Sequence, residues 1–182
     1  MNYSLNHDKI IDGIPFFAED VYWGKATKEE LKKAIAIIEE KGWAEFEARY
    51  QGKFDFTFEG NRADWRFNIP INKDSVILES GAGMGRTTIP LARIAKKVVA
   101  FDTSFLRMKF LKKMAEKEGL ENIEVFVGDI FNLPLENNSF DIVSMNGVLE
   151  WVGKTDLYNN PRDAQIACLG ICGNLLKKGG YL

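Results

Sequence analysis

The stretch VILESGAGMGRTT, residues 76–88, decides how the rest of the chain is read. Val76, Ile77 and Leu78 form an unbroken β-favouring run, as a strand covered on both faces requires, because neither side meets water. Gly81, Gly83 and Gly85 then follow at alternate positions. Glycine accepts positive φ and lacks Cβ, so such a turn lets backbone N–H groups come close to a ligand. The pattern predicts a helix from Arg86 to Ala95, with its first donors unpaired and its positive dipole end facing a crevice. A small-molecule cradle is the result.

Downstream residues say which small molecule. In a dinucleotide-binding turn the pattern is G-x-G-x-x-G, and its third glycine lets the helix pack closely. Here Arg86 stands at that third position, the spacing is G-x-G-x-G, and an acid, Glu79, precedes it. Val98 to Phe101 reads as a second buried strand ending in Asp102, about 20 residues beyond Gly81, the interval at which an acid meets a ribose. Asp102 could instead cap the next helix, but Thr103 or Ser104 can do that, which leaves Asp102 free for the sugar. Ile123 to Val127 alternates into a third strand with Gly128-Asp129-Ile130 at its end. Phe140 to Met145 is a fourth, leading into Asn146-Gly147-Val148-Leu149-Glu150-Trp151-Val152 at the edge where open α/β sheets bind ligands.

The glycine spacing, Glu79, Asp102 and the Gly128-Asp129-Ile130 step together resemble the class I S-adenosylmethionine-dependent methyltransferases, of the type 11-like kind. The resemblance runs from about Arg62 to Leu182 and implies an α/β fold. That fold is a Rossmann-like three-layer αβα sandwich with a mostly parallel sheet and S-adenosyl-L-methionine as cofactor. It implies that Glu79, Gly81, Ala82, Gly83 and Gly85 lie beside the methionyl group, where a carboxylate suits an ammonium better than a pyrophosphate. Asp102, with Thr103, would meet the ribose. Asp129 would accept from the adenine amino group, the Ile130 N–H would meet a ring nitrogen, and Ile130, Phe131 and Leu133 would wall the purine. The segment NRADWRFN, residues 61–68, precedes the cofactor strand in the resembled family, making Arg62 either a ligand for the cofactor carboxylate or a surface salt-bridge residue. Trp65 reads as a packing anchor.

The transferable methyl would point towards Asn146, Glu150 and Trp151. Asn146 is also a cofactor candidate, Glu150 is equally readable as a helix-surface acid, and Trp151 reads as core more readily than as a platform. Asn146 and Glu150 are the catalytic candidates, and a general base would come from Glu150, Asp156 or a group in a missing carboxy-terminal segment, since no histidine is placed for it. The motif of methylases acting on exocyclic base nitrogens is missing, and NGVLEWVG followed by PRDAQ resembles methyltransferases of sugar or cell-envelope polymer biosynthesis, which implies a small-molecule or saccharide acceptor. A non-catalytic cofactor-binding module and, less favoured, a nicotinamide-dependent oxidoreductase are the alternatives.

Composition agrees with one domain: 182 residues, 46% hydrophobic and 27% charged, can bury a core. A net charge of −2 gives no reason to expect a nucleic-acid or membrane partner held by bulk charge. Without an apolar run of about 18 residues or a charged-then-apolar leader, the chain reads as cytoplasmic, without a membrane span. Cys168 and Cys172 share a helix face and read as small buried hydrophobes, His7 as a surface residue, and no metal site is expected.

The amino-terminal residues 1–60 read as a helical and aromatic extension to a cofactor-binding core over 61–182. Residues up to about 25 look irregular or short-helical; Thr27-Lys28-Glu29-Glu30 is a capping box, Leu31, Ala34, Ile35 and Ile38 form a helical stripe, and Trp43 to Tyr50 a second helix. Phe54, Phe56 and Phe58 suit a short strand or an aromatic patch. A helix from Asp163 to Leu176, with Gly170 and Gly173 packed on the sheet and Lys177 to Gly180 closing it, leaves Tyr181 to begin a fifth strand. The resembled family continues further, so a carboxy-terminally truncated chain is expected, with an open sheet edge that would take a missing segment or a second copy.

Overall fold

Hydrophobic periodicity is converted into a single sheet with helices on both faces in the computed structural model, which describes residues 9–22, 26–50 and 63–182. Strands β1 (Lys9–Ile11) and β2 (Ile14–Phe16) form a hairpin whose corner residues, Asp12 and Gly13, both have positive φ. Helix α1 (Lys28–Lys41) starts at the expected capping box: the Glu30 N–H donates to Thr27 Oγ1, and the Thr27 N–H donates to Glu30 Oε2 at 2.7 Å. Its buried stripe is Leu31, Ala34, Ile35 and Ile38, and α2 (Trp43–Tyr50) follows Gly42. After a short 3-10 helix (Asp64–Asn68) come β3 (Val76–Ser80), α3 (Thr88–Ala92), β4 (Lys97–Asp102), α4 (Phe105–Lys117) and β5 (Ile123–Val127). The remaining elements are β6 (Phe140–Met145), α5 (Leu149–Val152), α6 (Pro161–Leu175) and β7 (Leu176–Tyr181).

The sheet order is β1-β2-β5-β4-β3-β6-β7, parallel throughout except for β1 against β2. The chain therefore winds from β3 through β4 to β5 on one side and returns to β6 on the other, which puts a crevice at the carboxyl ends of β3 and β6. Alternate side chains of each central strand serve opposite faces. Ala100 and Val127 join α1, α2 and α4 in one core, while Leu78, Val99, Phe101 and Val143 meet Ala164, Cys168 and Cys172 of α6 in another. Helices on both faces of a mostly parallel sheet make this a Rossmann-like three-layer αβα sandwich, as expected.

Three local expectations change. Residues 9–16 are not irregular or short-helical: they form a hairpin that extends the sheet, joining β5 through the Phe16–Val127 pair. A helix cannot be told from a strand in so short an apolar run. Lys177 to Gly180 do not close a helix but lie within β7, which begins at Leu176, covers the edge of β6 and pairs Lys177 Nζ with Asp141 Oδ1 at 2.8 Å. A side chain at Gly180 would come within 2.9 Å of the Asp141 carbonyl, so this edge demands glycine. Gly170 and Gly173, by contrast, are exposed and have open space around them, so close packing does not explain them. His7, the Phe54-Phe56-Phe58 segment and Arg62 lie outside the described residues.

Because Gly170 loses backbone entropy in a helix without any packing return, Gly170→Ala is expected to raise stability by about 0.5–1 kcal/mol. Urea denaturation of the two proteins checks the sign.

Candidate functional site

The glycine turn caps the carboxyl end of β3, with Gly81, Gly83 and Gly85 at φ of 65°, 56° and 94°. The three do different jobs. A Cβ at Gly85 would lie 2.4 Å from Leu111 Cδ1 of α4, and one at Gly81 would lie 2.5 Å from Val148 Cγ2 in the loop after β6, so a side chain at either would have to displace its neighbour. A Cβ at Gly83 would meet nothing within 4 Å, so the turn opens into a cradle there. The turn's amides are largely committed internally: Ala82 N–H donates to the Phe101 carbonyl, Gly83 N–H to Asp102 Oδ2 and Gly85 N–H to the Ala82 carbonyl, each at 3.0 Å. The expected long helix at Arg86 is a short one starting at Thr88, with Pro90 in its first turn, where no amide is needed.

Glu79 is buried, and its Oε2 accepts a 2.5 Å hydrogen bond from Thr88 Oγ1. Burial pushes its carboxyl up to about 8, hydroxyl bonds from Thr88 and Thr87 offset part of this, and the Asp102 charge adds to it. The group is therefore largely neutral at pH 7. It joins β3 to the start of α3, and the Thr87-Thr88 pair that makes this possible follows the turn directly in sequence.

Asp102 sits at the tip of β4 with both oxygens engaged. Oδ2 accepts from Gly83 N–H at 3.0 Å and from Arg107 Nη1 at 3.4 Å, and Oδ1 accepts from Ser104 N–H at 3.0 Å. The capping expectation fails here in an instructive way. Ser104 makes no capping bond, its Oγ is buried without a partner among the described residues, and Thr103 Oγ1 donates to the Val21 carbonyl at 2.9 Å. Asp20, 85 residues away in sequence, accepts from the Phe105 N–H at 2.8 Å instead. No local pattern could reveal that partner.

The Gly128 N–H donates to the Asp102 carbonyl at 3.1 Å, which sets Asp129 beside the same rim. Asp129 Oδ1 accepts from the Phe131 N–H at 2.9 Å and so shapes its own turn, while Oδ2 has no partner among the described residues. Ile130 is buried in the α6-side core, and the ring of Phe131 lies 5.3 Å from that of Tyr158. On the fourth tip Asn146 is exposed, its Nδ2 donating to Ser144 Oγ at 3.2 Å, and the exposed Glu150 hangs over Gly147. Trp151, expected in the core, is 46% exposed, with Lys154 Nζ 4.0 Å above its ring. Asp156 is exposed on the loop that follows. Hydrogen bonds and packing thus join Gly81, Gly83, Asp102, Gly128 and the Val148 loop into one rim. A cavity of about 700 Å³ lies elsewhere, walled by Pro15, Phe17, Val125 and Leu135, and touches none of the turn's glycines.

This rim lies at the carboxyl ends of a parallel sheet, the edge at which open α/β sheets bind ligands. Residues 78–182 match the family model described as a methyltransferase domain, and the chain belongs to that family of S-adenosylmethionine-dependent methyltransferases. It is 36% identical over 93 residues to phosphoethanolamine N-methyltransferase 1 of Caenorhabditis elegans, covering 50% of this chain and 19% of that one. Over 79 residues it is 39% identical to a probable ribosomal RNA small subunit methyltransferase A of Methanosphaera stadtmanae, covering 43% and 28%. The solved phosphoethanolamine N-methyltransferase 1 of Haemonchus contortus, complexed with phosphoethanolamine and S-adenosylhomocysteine, superposes with a TM-score of 0.57 at 21% identity, over 86% of this chain and 32% of that one. The chain spans less than a third of the length of these curated relatives.

A carboxyl raised in the folded state binds its proton there more tightly than in the unfolded chain. Stability therefore falls as pH rises from about 4.5, the unfolded value, to about 8, the folded one. Glu79→Gln is expected to remove this fall, which is at most about 1.4 kcal/mol per pH unit. Denaturant titrations between those limits, run on both proteins, check it.

Proposed function

We propose that this chain carries the cofactor-binding body of a methyltransferase that moves the methyl group of S-adenosyl-L-methionine to a small-molecule or saccharide-type acceptor. The observation that carries the reading is the hydrogen bond from Gly83 N–H to Asp102 Oδ2, which sets the acid at the tip of β4 against the one open glycine of the turn. Asp102 would hold the ribose, and Asp129, with Oδ2 unengaged among the described residues, the adenine amino group. In this reading residues 61–182 form the cofactor core, and the residues before them an extension whose hairpin, β1 and β2, lengthens its sheet.

When bound, the sulfonium cofactor supplies an electrophilic methyl group. The chain's own task is to orient and to shelter. Val148, packed on Gly81, fixes the loop that carries Asn146 and Glu150 beside the turn, so an acceptor entering there is held by rigid backbone. Glu150, exposed and near the amino terminus of α5, would take the proton of an acceptor hydroxyl. Asn146, held by Ser144, would position the acceptor. Glu79, buried against Thr88, serves by anchoring α3 to β3. A small acceptor suits a net charge of −2 better than RNA does. Two buried free thiols accord with a cytoplasmic location, and no helix among the described residues is long and apolar enough to cross a membrane.

Calorimetry is expected to show saturable binding of S-adenosylhomocysteine and none of NAD. Asp102→Asn and Asp129→Asn are each expected to weaken that binding about tenfold or more, as loss of a charge-assisted hydrogen bond implies. Methyl transfer to RNA but to no sugar or amine in an acceptor panel would reverse the acceptor assignment.

A further inference from the structure

Asp102 has more donors around it than a sugar-binding acid can keep. An ionised carboxylate offers about four acceptor positions. Gly83 N–H, Ser104 N–H and Arg107 Nη1 already take three of them, at 3.0, 3.0 and 3.4 Å. A ribose diol brings two more donors, so one present partner has to leave. The two amides belong to the glycine turn and the start of α4, and freeing either would leave a backbone N–H without its partner. Arg107 makes the longest of the three contacts and already has a second partner. Its guanidinium lies 5.4 Å from the centre of the Tyr22 ring, to which a cation is attracted.

Tyr22 is held in place by a strap rather than by chance. Val21 N–H donates to the Thr103 carbonyl at 2.9 Å, Thr103 Oγ1 donates back to the Val21 carbonyl, and Asp20 caps α4 through the Phe105 N–H. Tyr22 Oη donates to the Ala26 carbonyl at 2.7 Å. These bonds fasten the segment after β2 across the tip of β4, with its ring beside Arg107.

We infer that Arg107 is a specificity-determining competitor at this site, a cation that a nucleoside with a free 2′,3′-diol must move off Asp102, leaving it to the Tyr22 ring alone. The inference rests on the assignment of Asp102 to the ribose. It makes ribose recognition an exchange of partners, so that ligands lacking the diol gain nothing from removal of the arginine.

Calorimetry on the whole chain tests this with S-adenosylhomocysteine and with its analogue lacking both ribose hydroxyls. Arg107→Met is expected to bind S-adenosylhomocysteine about threefold to tenfold more tightly than the parent chain, as release of a partly exposed ion pair implies. The analogue is expected to bind both proteins equally, and Tyr22→Leu to weaken S-adenosylhomocysteine. Arg107→Gln serves should the methionine variant not fold, with thermal melting confirming that the variant used is native. Unchanged or weaker binding by a folded arginine variant, or an equal gain for the analogue, overturns the inference and leaves the cofactor assignment standing. A parent chain that binds neither ligand removes both.

Discussion

The carboxylate of Asp102 is the hinge on which the functional end of this molecule turns. It accepts from the glycine turn through Gly83 and from the first turn of α4 through Ser104, so one side chain sets the distance between β3's loop and β4's helix. Two amides that a tight turn and a helix start would leave unsatisfied are paired by one acid. The cradle at Gly83 exists because Gly81 and Gly85 are pinned by Val148 and Leu111 while the residue between them is not. Packing shapes the hollow, and electrostatics holds its rim.

The amino-terminal segment is part of that arrangement. A separate extension would cover the core without changing it, whereas here the hairpin lengthens the sheet through β5 and the strap beyond it caps α4 with Asp20. Lys109 links Asp12 and Glu39 at 2.7 and 3.0 Å, and Lys113 reaches the same Glu39, so basic residues that look like a solvated helix face tie α1 and the hairpin to α4. On the opposite face, Cys168 and Cys172 pack against Met145 with sulfur contacts of 3.7 and 3.5 Å, as small buried hydrophobes.

Much of this was legible from residue order. The strands at 76 and 98 announce themselves because doubly covered strands are largely apolar, the one at 123 by its alternation, and α1 because its capping box and its stripe are local. The acids at 79, 102 and 129 could be placed at strand tips for the same reason. The partners of those acids could not. Glu79 looks like a free charge until burial beside Thr88 makes it neutral, and Arg107 looks like any exposed helix arginine until the helix turns it back onto Asp102.

The chain's own letters settle the α/β class, helices α1 and α2, strands β3 to β6 and the glycine turn after β3. These depend on propensity and periodicity within a few neighbouring residues. Only the folded arrangement decides which glycine stays open, which acid keeps its charge environment and which remote residue caps a helix, because each depends on atoms that are distant in sequence. Asp20 against Phe105, 85 residues apart, is the plainest instance: a bond of 2.8 Å that no local rule contains.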